Sequence, residues 1–355
     1  MTHPWSSNTT IADLAAWLRA RRRVVVLTHL KPDGDALGST LAATRAINLA
    51  AAARGTVVAP HATPWYAGPM PDWAAEIIGP TEHRLLTQAH RPDHDHREEP
   101  DAVLVIDTGA WTQLHEVREW LLPRREIAAI IDHHRQGDAD VADRRLIRTD
   151  AAAACEPCAE LCCALLGVPS PARLPIEIAT PLYLGLATDT GWFRHSSVTP
   201  GVMRLAADLL QAGVDHARLY ESVEQRDRPS RLRLMARALA SMKLLNRDRV
   251  SMMTLTLQDF HDCNAASTDS AGFAELALTA APVQVSVLVT EAFVTDHAAS
   301  GHVTKVSFRS KNGPDSMDVN EVARKLGGGG HIRAAGAKVH ADLAETTRRI
   351  VEALK

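Results

Sequence analysis

Short, wholly apolar runs alternate with longer helical stretches through the first half of the chain. Val24 to Leu27, Ala102 to Ile106 and Ile127 to Ile131 carry no polar positions, the pattern of strands covered on both faces. Between them lie a weakly specified helix (Ile11 to Ala20), an alanine-rich helical stretch from Gly34 to near Gly55, and a helical segment from Thr112 to Leu122. Thr56 to Ala59 reads as one more strand. Such alternation predicts an α/β fold, a parallel, doubly wound sheet whose ligands sit beyond the carboxyl ends of its strands. Two stretches read as loops: Thr63 to Pro80, rich in proline, glycine and tryptophan, and the charged run His90 to Pro100. In the latter, a solvated loop explains His94 and His96 better than a metal tract.

From Pro175 the pattern turns helical through Leu186 and stays so to about Leu245. Val250 to Leu257, Val283 to Thr290 and Val303 to Phe308 then read as strands of a smaller α/β unit. Val319 to Leu326 reads as a helix stopping at the run Gly327 to Gly330 and His331. The polar stretch Gln225 to Ser230 marks a boundary. The expected organisation is a first domain over 11–225, a helical linker over 226–245 and a second domain over 246–355.

Composition narrows the function. A length of 355 residues suits two ordinary domains, and the formal charge of −3 is close to neutral, whereas a protein that holds nucleic acid mainly by counterion release is usually more basic. A polyanionic substrate is therefore expected to be small, or gripped locally. No apolar stretch is long enough for a membrane span, and Met1 to Thr10 lacks the pattern of a signal peptide. The five cysteines are odd in number and four crowd one helix (Cys155, Cys158, Cys162, Cys163). That is no disulfide framework, and it points to a reducing cytoplasm. Without a second pair at zinc-binding distance, they read as small apolar helix residues.

The candidate chemistry falls at the strand ends. His29, Asp33 and Asp35 share a tight turn after the first strand. A helix-capping role would explain one of the two aspartates but not both together with His29. Asp107 ends the second apolar strand, where it could simply begin a turn. Asp132, His133 and His134 end the third, and adjacent histidines beside an acid rarely serve packing. Asp189 follows an apolar helix and would be costly if buried unpaired. One pair of divalent cations would satisfy all four clusters, an arrangement suited to phosphoryl transfer. Mixed imidazole and carboxylate ligands favour a transition metal, manganese being expected over magnesium, with magnesium or cobalt as alternatives. The glycine run would let backbone N–H groups approach a phosphate, with His331 opening a helix whose N-terminus favours an anion.

The segment from His29 through Gly38 (HLKPDGDALG), Asp107, Asp132-His133-His134 and Asp189 resemble the four motifs of the DHH phosphoesterases. Phe308-Arg309-Ser310 and GGGGHIRAAG, residues 327–336, resemble the associated C-terminal substrate-binding domain. The likeness is greatest to the branch of oligoribonucleases and pAp phosphatases, some of which also cleave cyclic di-AMP or pApA. It implies one metal on His29, Asp33 and Asp107, and a second on Asp35, Asp107, His133 and Asp189. His134 would face the scissile phosphate, with Asp132 orienting a ligand. Arg309, Ser310, Gly328, Gly329, Gly330 and His331 would hold the substrate, with Arg333 and Arg194 as further contacts. The implied substrates are short RNA oligonucleotides and pAp, and a homodimer is a family-level expectation.

One departure stands out: Ala151 to Ala154 and Cys155 replace the small hydroxyl residues that relatives tend to carry. Alternatives are a main activity on cyclic di-AMP or pApA, and a non-catalytic nucleotide sensor. A family II pyrophosphatase fits less well, because GGGGH replaces a basic phosphate clamp. A RecJ-type exonuclease would carry an added OB domain.

Overall fold

The computed structural model describes residues 5–55, 61–86, 99–292, 302–313 and 316–354. The chain forms two compact units, 1–225 and 226–355. Unit 1 contains strands β1 (Val24–Leu27), β2 (Ala62–Ala67), β3 (Arg84–Leu86), β4 (Ala102–Ile106), β5 (Ala128–Asp132) and β6 (Arg144–Ile147). Its helices are α1 (Ile11–Arg19), α2 (Gly34–Ala52), α3 (Ala74–Ile78), α4 (Arg118–Leu121), α5 (Cys155–Leu166), α6 (Ile176–Asp189), α7 (Pro200–Gln211) and α8 (His216–Glu224). The strands form one sheet in the order β3-β2-β1-β4-β5-β6, and every pair is parallel.

The apolar runs become β1, β4 and β5 because both faces of the sheet are covered. Val24, Val26, Leu104 and Ile131 pack under α1, α2, α5 and α6. Val25, Val103, Val105 and Ile130 meet Trp65, Trp111 and Trp120 on the other face. Thr63 to Pro80 is not a loop throughout: it holds most of β2, paired with β1, and all of α3. Pro64 and the aromatic residues of that stretch mask its strand character. Thr56 to Ala59, His94 and His96 lie outside the described residues. Thr112 to Leu122 is broken into short helical turns, of which α4 is one.

Cys155, Cys158 and Cys162 are buried in the core beneath α5, and Cys163 is half-buried. Burial pushes the Cys163 thiol up to about 11. These thiols are apolar filling rather than reactive groups. With a thiol-specific chromogenic reagent at neutral pH, the native protein should react slowly, chiefly at Cys163, and show all five cysteines only after denaturation. Rapid labelling of two or more native thiols would contradict this assignment.

Unit 2 comprises α9 (Pro229–Ala240), β7 (Lys243–Leu245), β8 (Val250–Leu255), α10 (Leu257–Cys263), α11 (Phe273–Leu276), β9 (Val285–Glu291), β10 (Thr304–Ser310), α12 (Val319–Lys325), β11 (Gly329–His331), β12 (Ala334–Val339) and α13 (Leu343–Ala353). Its sheet runs β11-β12-β10-β9-β8-β7, antiparallel except for β8 beside β9. Residues 226–245 are not a purely helical connector, since β7 pairs with β8 as an edge of this sheet. His331 does not open a helix: it ends β11, which folds back on β12 as a hairpin.

Candidate metal centre

β1 and β4 are neighbours at the centre of the first sheet, yet the chain leaves them toward opposite edges. The crevice at such a switch point is where open α/β sheets bind ligands. His29 and Asp33 follow β1, Asp107 follows β4, and Asp132 and His133 close β5.

Asp107 is the hub. Its φ of +65° is uncommon for any residue but glycine, though less so for aspartate. Its amide donates to the Ile131 carbonyl at 2.9 Å, and it is buried. Oδ2 stands 3.5 Å from His29 Nε2, and Oδ1 stands 3.4 Å from His133 Nε2. Both imidazoles turn Nδ1 to a backbone carbonyl, His29 to Leu30 at 3.0 Å and His133 to Ala151 at 3.3 Å. With the Nδ1 proton engaged there, Nε2 is the nitrogen available for coordination.

The helices supply the remaining acids. Asp33 does cap α2, accepting from the amides of Asp35 and Ala36 at 3.1 Å each. The same oxygen lies 3.7 Å from His29 Nε2. Asp35, buried in the first turn of α2, instead accepts from the amides of Ala154 at 2.5 Å and Cys155 at 3.0 Å. Those amides begin α5, so unpaired N–H groups at a helix start hold the carboxylate. At Ala154 and Cys155 the backbone makes the contact, and no side-chain hydroxyl is required there. Asp189 is the last residue of α6, where the helix dipole opposes a negative charge. Its Oδ2 lies 3.6 Å from His133 Nε2.

Crowded negative charge governs the protonation of the cluster. Burial disfavours a charged His29 ring, but Asp107 and Asp33 outweigh it and raise its pKa to about 10. Burial likewise opposes charge on His133, yet Asp107, Asp35 and Asp189 raise it to about 10. Burial, then Asp107 and Asp189, push the Asp35 carboxyl well up, while burial above all moves Asp189 to about 6. Protons here do what a bound cation would do, and a divalent ion would displace them. Asp107 Oδ1 is buried without a hydrogen-bond donor, an orphan that a cation would satisfy. Three sets of potential ligand atoms converge within 4.8 Å: His29, Asp33 and Asp107; Asp35, His133 and Asp189; and Asp107, His133 and His134. The donor set of imidazole and carboxylate therefore fits divalent metal ions, with Asp107 reaching both sides.

Asp132 is buried behind this cluster. Its Oδ1 accepts from the His133 amide at 2.7 Å, the His134 amide at 3.1 Å and His134 Nδ1 at 2.7 Å. The bond to Asp132 leads in raising the His134 pKa, against burial. The His134 side chain is 55% exposed, so its other ring nitrogen is open to a ligand.

The expected substrate residues are less uniform. Arg194 lies in the turn after Asp189, where its Nε donates to the Gly191 carbonyl at 2.6 Å. In unit 2, Arg309 pairs with Ala334 and Ala334 with His331, so Arg309 and His331 share one face, roughly 10 Å apart across β12. Arg309 also meets Glu275 at 3.0 Å. Gly329 and Gly330 lie on the exposed edge strand β11, where successive amides point alternately toward β12 and away from it, so one of the two is open to an anion. The Gly328 amide is taken by the Ala323 carbonyl at 2.9 Å. Ser310 alternates to the face opposite Arg309 and is buried, which separates it from that row. Arg333 donates to the Met317 carbonyl at 3.3 Å. Trp5, whose indole donates to the His134 carbonyl, carried no signal in the sequence pattern.

Fold and cluster together define a class: an α/β enzyme frame with a cation-binding cluster at the switch point of its sheet. The DHH family, N-terminal domain, matches residues 23–186, and the DHHA1 domain matches residues 250–355. The chain is 31% identical over 339 residues to the bifunctional oligoribonuclease and PAP phosphatase NrnA of Thermus thermophilus, covering 94% of this chain and 89% of that protein. A probable bifunctional oligoribonuclease and PAP phosphatase NrnA of Streptococcus mutans is 24% identical over 331 residues, 93% of each chain. An exopolyphosphatase-related protein from Bacteroides fragilis shares the fold, with a TM-score of 0.80 at 23% identity over 97% of this chain and 95% of that one. The chain belongs to the DHH phosphoesterase family, whose members are metal-dependent hydrolases. Among the described residues, no helix is long and apolar enough to cross a membrane.

Proposed function

We propose that this protein is a two-metal phosphoesterase that hydrolyses short oligoribonucleotides to mononucleotides and removes the 3′-phosphate of pAp. The observation that carries the chemistry is the buried, donorless Asp107 oxygen between two sets of imidazole and carboxylate ligands. The substrate class rests on the NrnA relatives matched along nearly the whole chain. His29, Asp33 and Asp107 would hold one ion, and Asp35, Asp107, His133 and Asp189 the other. Manganese suits this donor set better than magnesium, and cobalt would also fit it. When bound, such ions polarise the phosphoryl group and lower the pKa of a water nucleophile.

The remaining work falls to side chains. Asp132 fixes the His134 ring through Nδ1, so Nε2 faces the substrate, where it stabilises phosphate charge or protonates the leaving oxygen. Arg309, His331 and the outward-facing amide of the Gly329–Gly330 pair would grip a terminal phosphate or sugar. Asp132→Asn should lower kcat roughly 10- to 100-fold, the usual cost of losing a carboxylate that orients an imidazole. Unchanged kcat would remove Asp132 from the mechanism.

Purified protein with Mn2+ should turn over pAp and RNAs of two to about five residues faster than a twenty-residue RNA, judged by kcat/KM, and chelation should abolish all activity. Faster cleavage of pApA or cyclic di-AMP than of pAp and short RNA would move the main activity to those substrates. Slow turnover of every one of them would overturn the proposal.

A further inference from the structure

Residues 5–9 form an arm beside β6 and place Trp5 against the catalytic loops. The amides of Asn8 and Thr9 donate to the Arg145 carbonyl at 2.9 and 3.3 Å, and the Asn8 side-chain oxygen accepts from the Arg145 amide at 2.7 Å. Ser7 Oγ both donates to the Ile147 carbonyl and accepts from its amide, at 2.9 and 2.8 Å. This two-sided pairing fixes the arm along the sheet edge. It delivers Trp5 to the loops that follow β4 and β5.

There the indole occupies a fitted slot. A methyl group added to Gly109, in the first loop, or to Gly137, in the second, would overlap the Trp5 ring. The indole Nε1 donates to the His134 carbonyl at 2.9 Å. Asp138 joins the same two loops from beside the slot, its amide donating to the Gly109 carbonyl at 2.8 Å and its Oδ2 accepting from the Trp111 amide at 2.8 Å. His134 is thus held at three points. Asp132 takes its amide and Nδ1, while Trp5 takes its carbonyl.

We infer that Trp5 is a positioning residue for His134: the arm straps the catalytic loop so that Nε2 is presented in one orientation. The inference rests on the role of His134 proposed above. Without the Trp5 bond the loop after β5 could shift as a whole and carry the His134 Cα and ring with it, and small misplacements of a reacting group are costly. A ring that merely filled space would need no N–H. Trp5→Phe separates the two, because it keeps an aromatic ring for the slot and removes only the donor. Gly137→Ala reaches the same end by a second route, since its methyl would drive the ring out.

The test is a double-mutant cycle of Trp5→Phe with His134→Ala, measured in Mn2+ on pAp and, in parallel, on bis(4-nitrophenyl) phosphate. Trp5→Phe is expected to lower kcat roughly fivefold with KM unmoved, and to lower Tm by no more than the few degrees that one net hydrogen bond contributes. In the His134→Ala background it should cost nothing further. Gly137→Ala should reproduce the loss of kcat. Trp5→Phe at full kcat, or a loss of the same factor when His134 is already absent, overturns the role of Trp5 alone. A His134→Ala enzyme as fast as the parent contradicts the assignment of His134 and removes the inference with it.

Discussion

Asp107→Asn is expected to lower kcat/KM at least roughly 1000-fold, equivalent to about 4 kcal/mol of transition-state stabilisation. The magnitude follows from position. Asp107 is, among the described residues, the carboxylate that faces His29 through one oxygen and His133 through the other. Asparagine keeps the shape but replaces one charged oxygen by an amide nitrogen that cannot ligate a cation. In the proposed two-metal arrangement one side of the cluster would then lose its shared ligand, and the charge available to hold both cations would fall. A second readout comes from linkage, because a ligand that binds only the folded state stabilises by about 2.7 kcal/mol at 100 times its Kd. Mn2+ should therefore raise the Tm of the parent protein and raise that of Asp107→Asn much less. Full activity in the variant, or an equal rise in Tm, would contradict the role of Asp107.

The second large effect is expected behind the ligands, where α2 crosses α6. A Cβ on Gly38 would overlap the Pro181 carbonyl, and one on Gly185 would overlap Cys155 Sγ and come within 2.8 Å of Asp35 Oδ1. Alanine in a helix interior normally gains up to about 1 kcal/mol over glycine. Here the obstacle at Gly38 is backbone, which cannot turn aside, and overpacking of this kind costs roughly 1–3 kcal/mol or more. Gly38→Ala should therefore lower Tm by roughly 5 °C despite its better helix propensity. Gly185→Ala should do more damage to activity, because it presses on Asp35 and on the α5 turn that holds it. It is expected to cut kcat/KM roughly 100-fold in Mn2+, consistent with a misplacement of about 1 Å. Thermal melts and steady-state kinetics of both variants check this. An increase in Tm for Gly38→Ala would show that the helices are free to separate.

What was legible in the sequence depended on how local its cause was. β1, β4 and β5 read clearly because burial on both faces demands unbroken apolar runs. β2 did not, since Pro64 and the residues around it carry the marks of a loop. The edge strand β11 was misread because glycine runs serve hairpins and helix starts alike, and only pairing with β12 decides between them. Local spacing brought out His29, Asp33 and Asp35, and the structure does gather them with Asp107, His133 and Asp189. It could not show that Asp33 caps α2 while Asp35 is held by α5, because that second contact joins residues 119 positions apart. Nor could it reveal Trp5, whose partner lies 129 positions away. Contacts fixed by the topology of the sheet leave no periodic trace.

The central claim is that one cluster, hinged on Asp107, holds two divalent cations. Anomalous diffraction from crystals of the protein equilibrated with Mn2+ tests it most directly. Two peaks are expected, one between His29, Asp33 and Asp107 and the other between Asp35, Asp107, His133 and Asp189. A single peak, or manganese bound only elsewhere in the chain, would contradict the account.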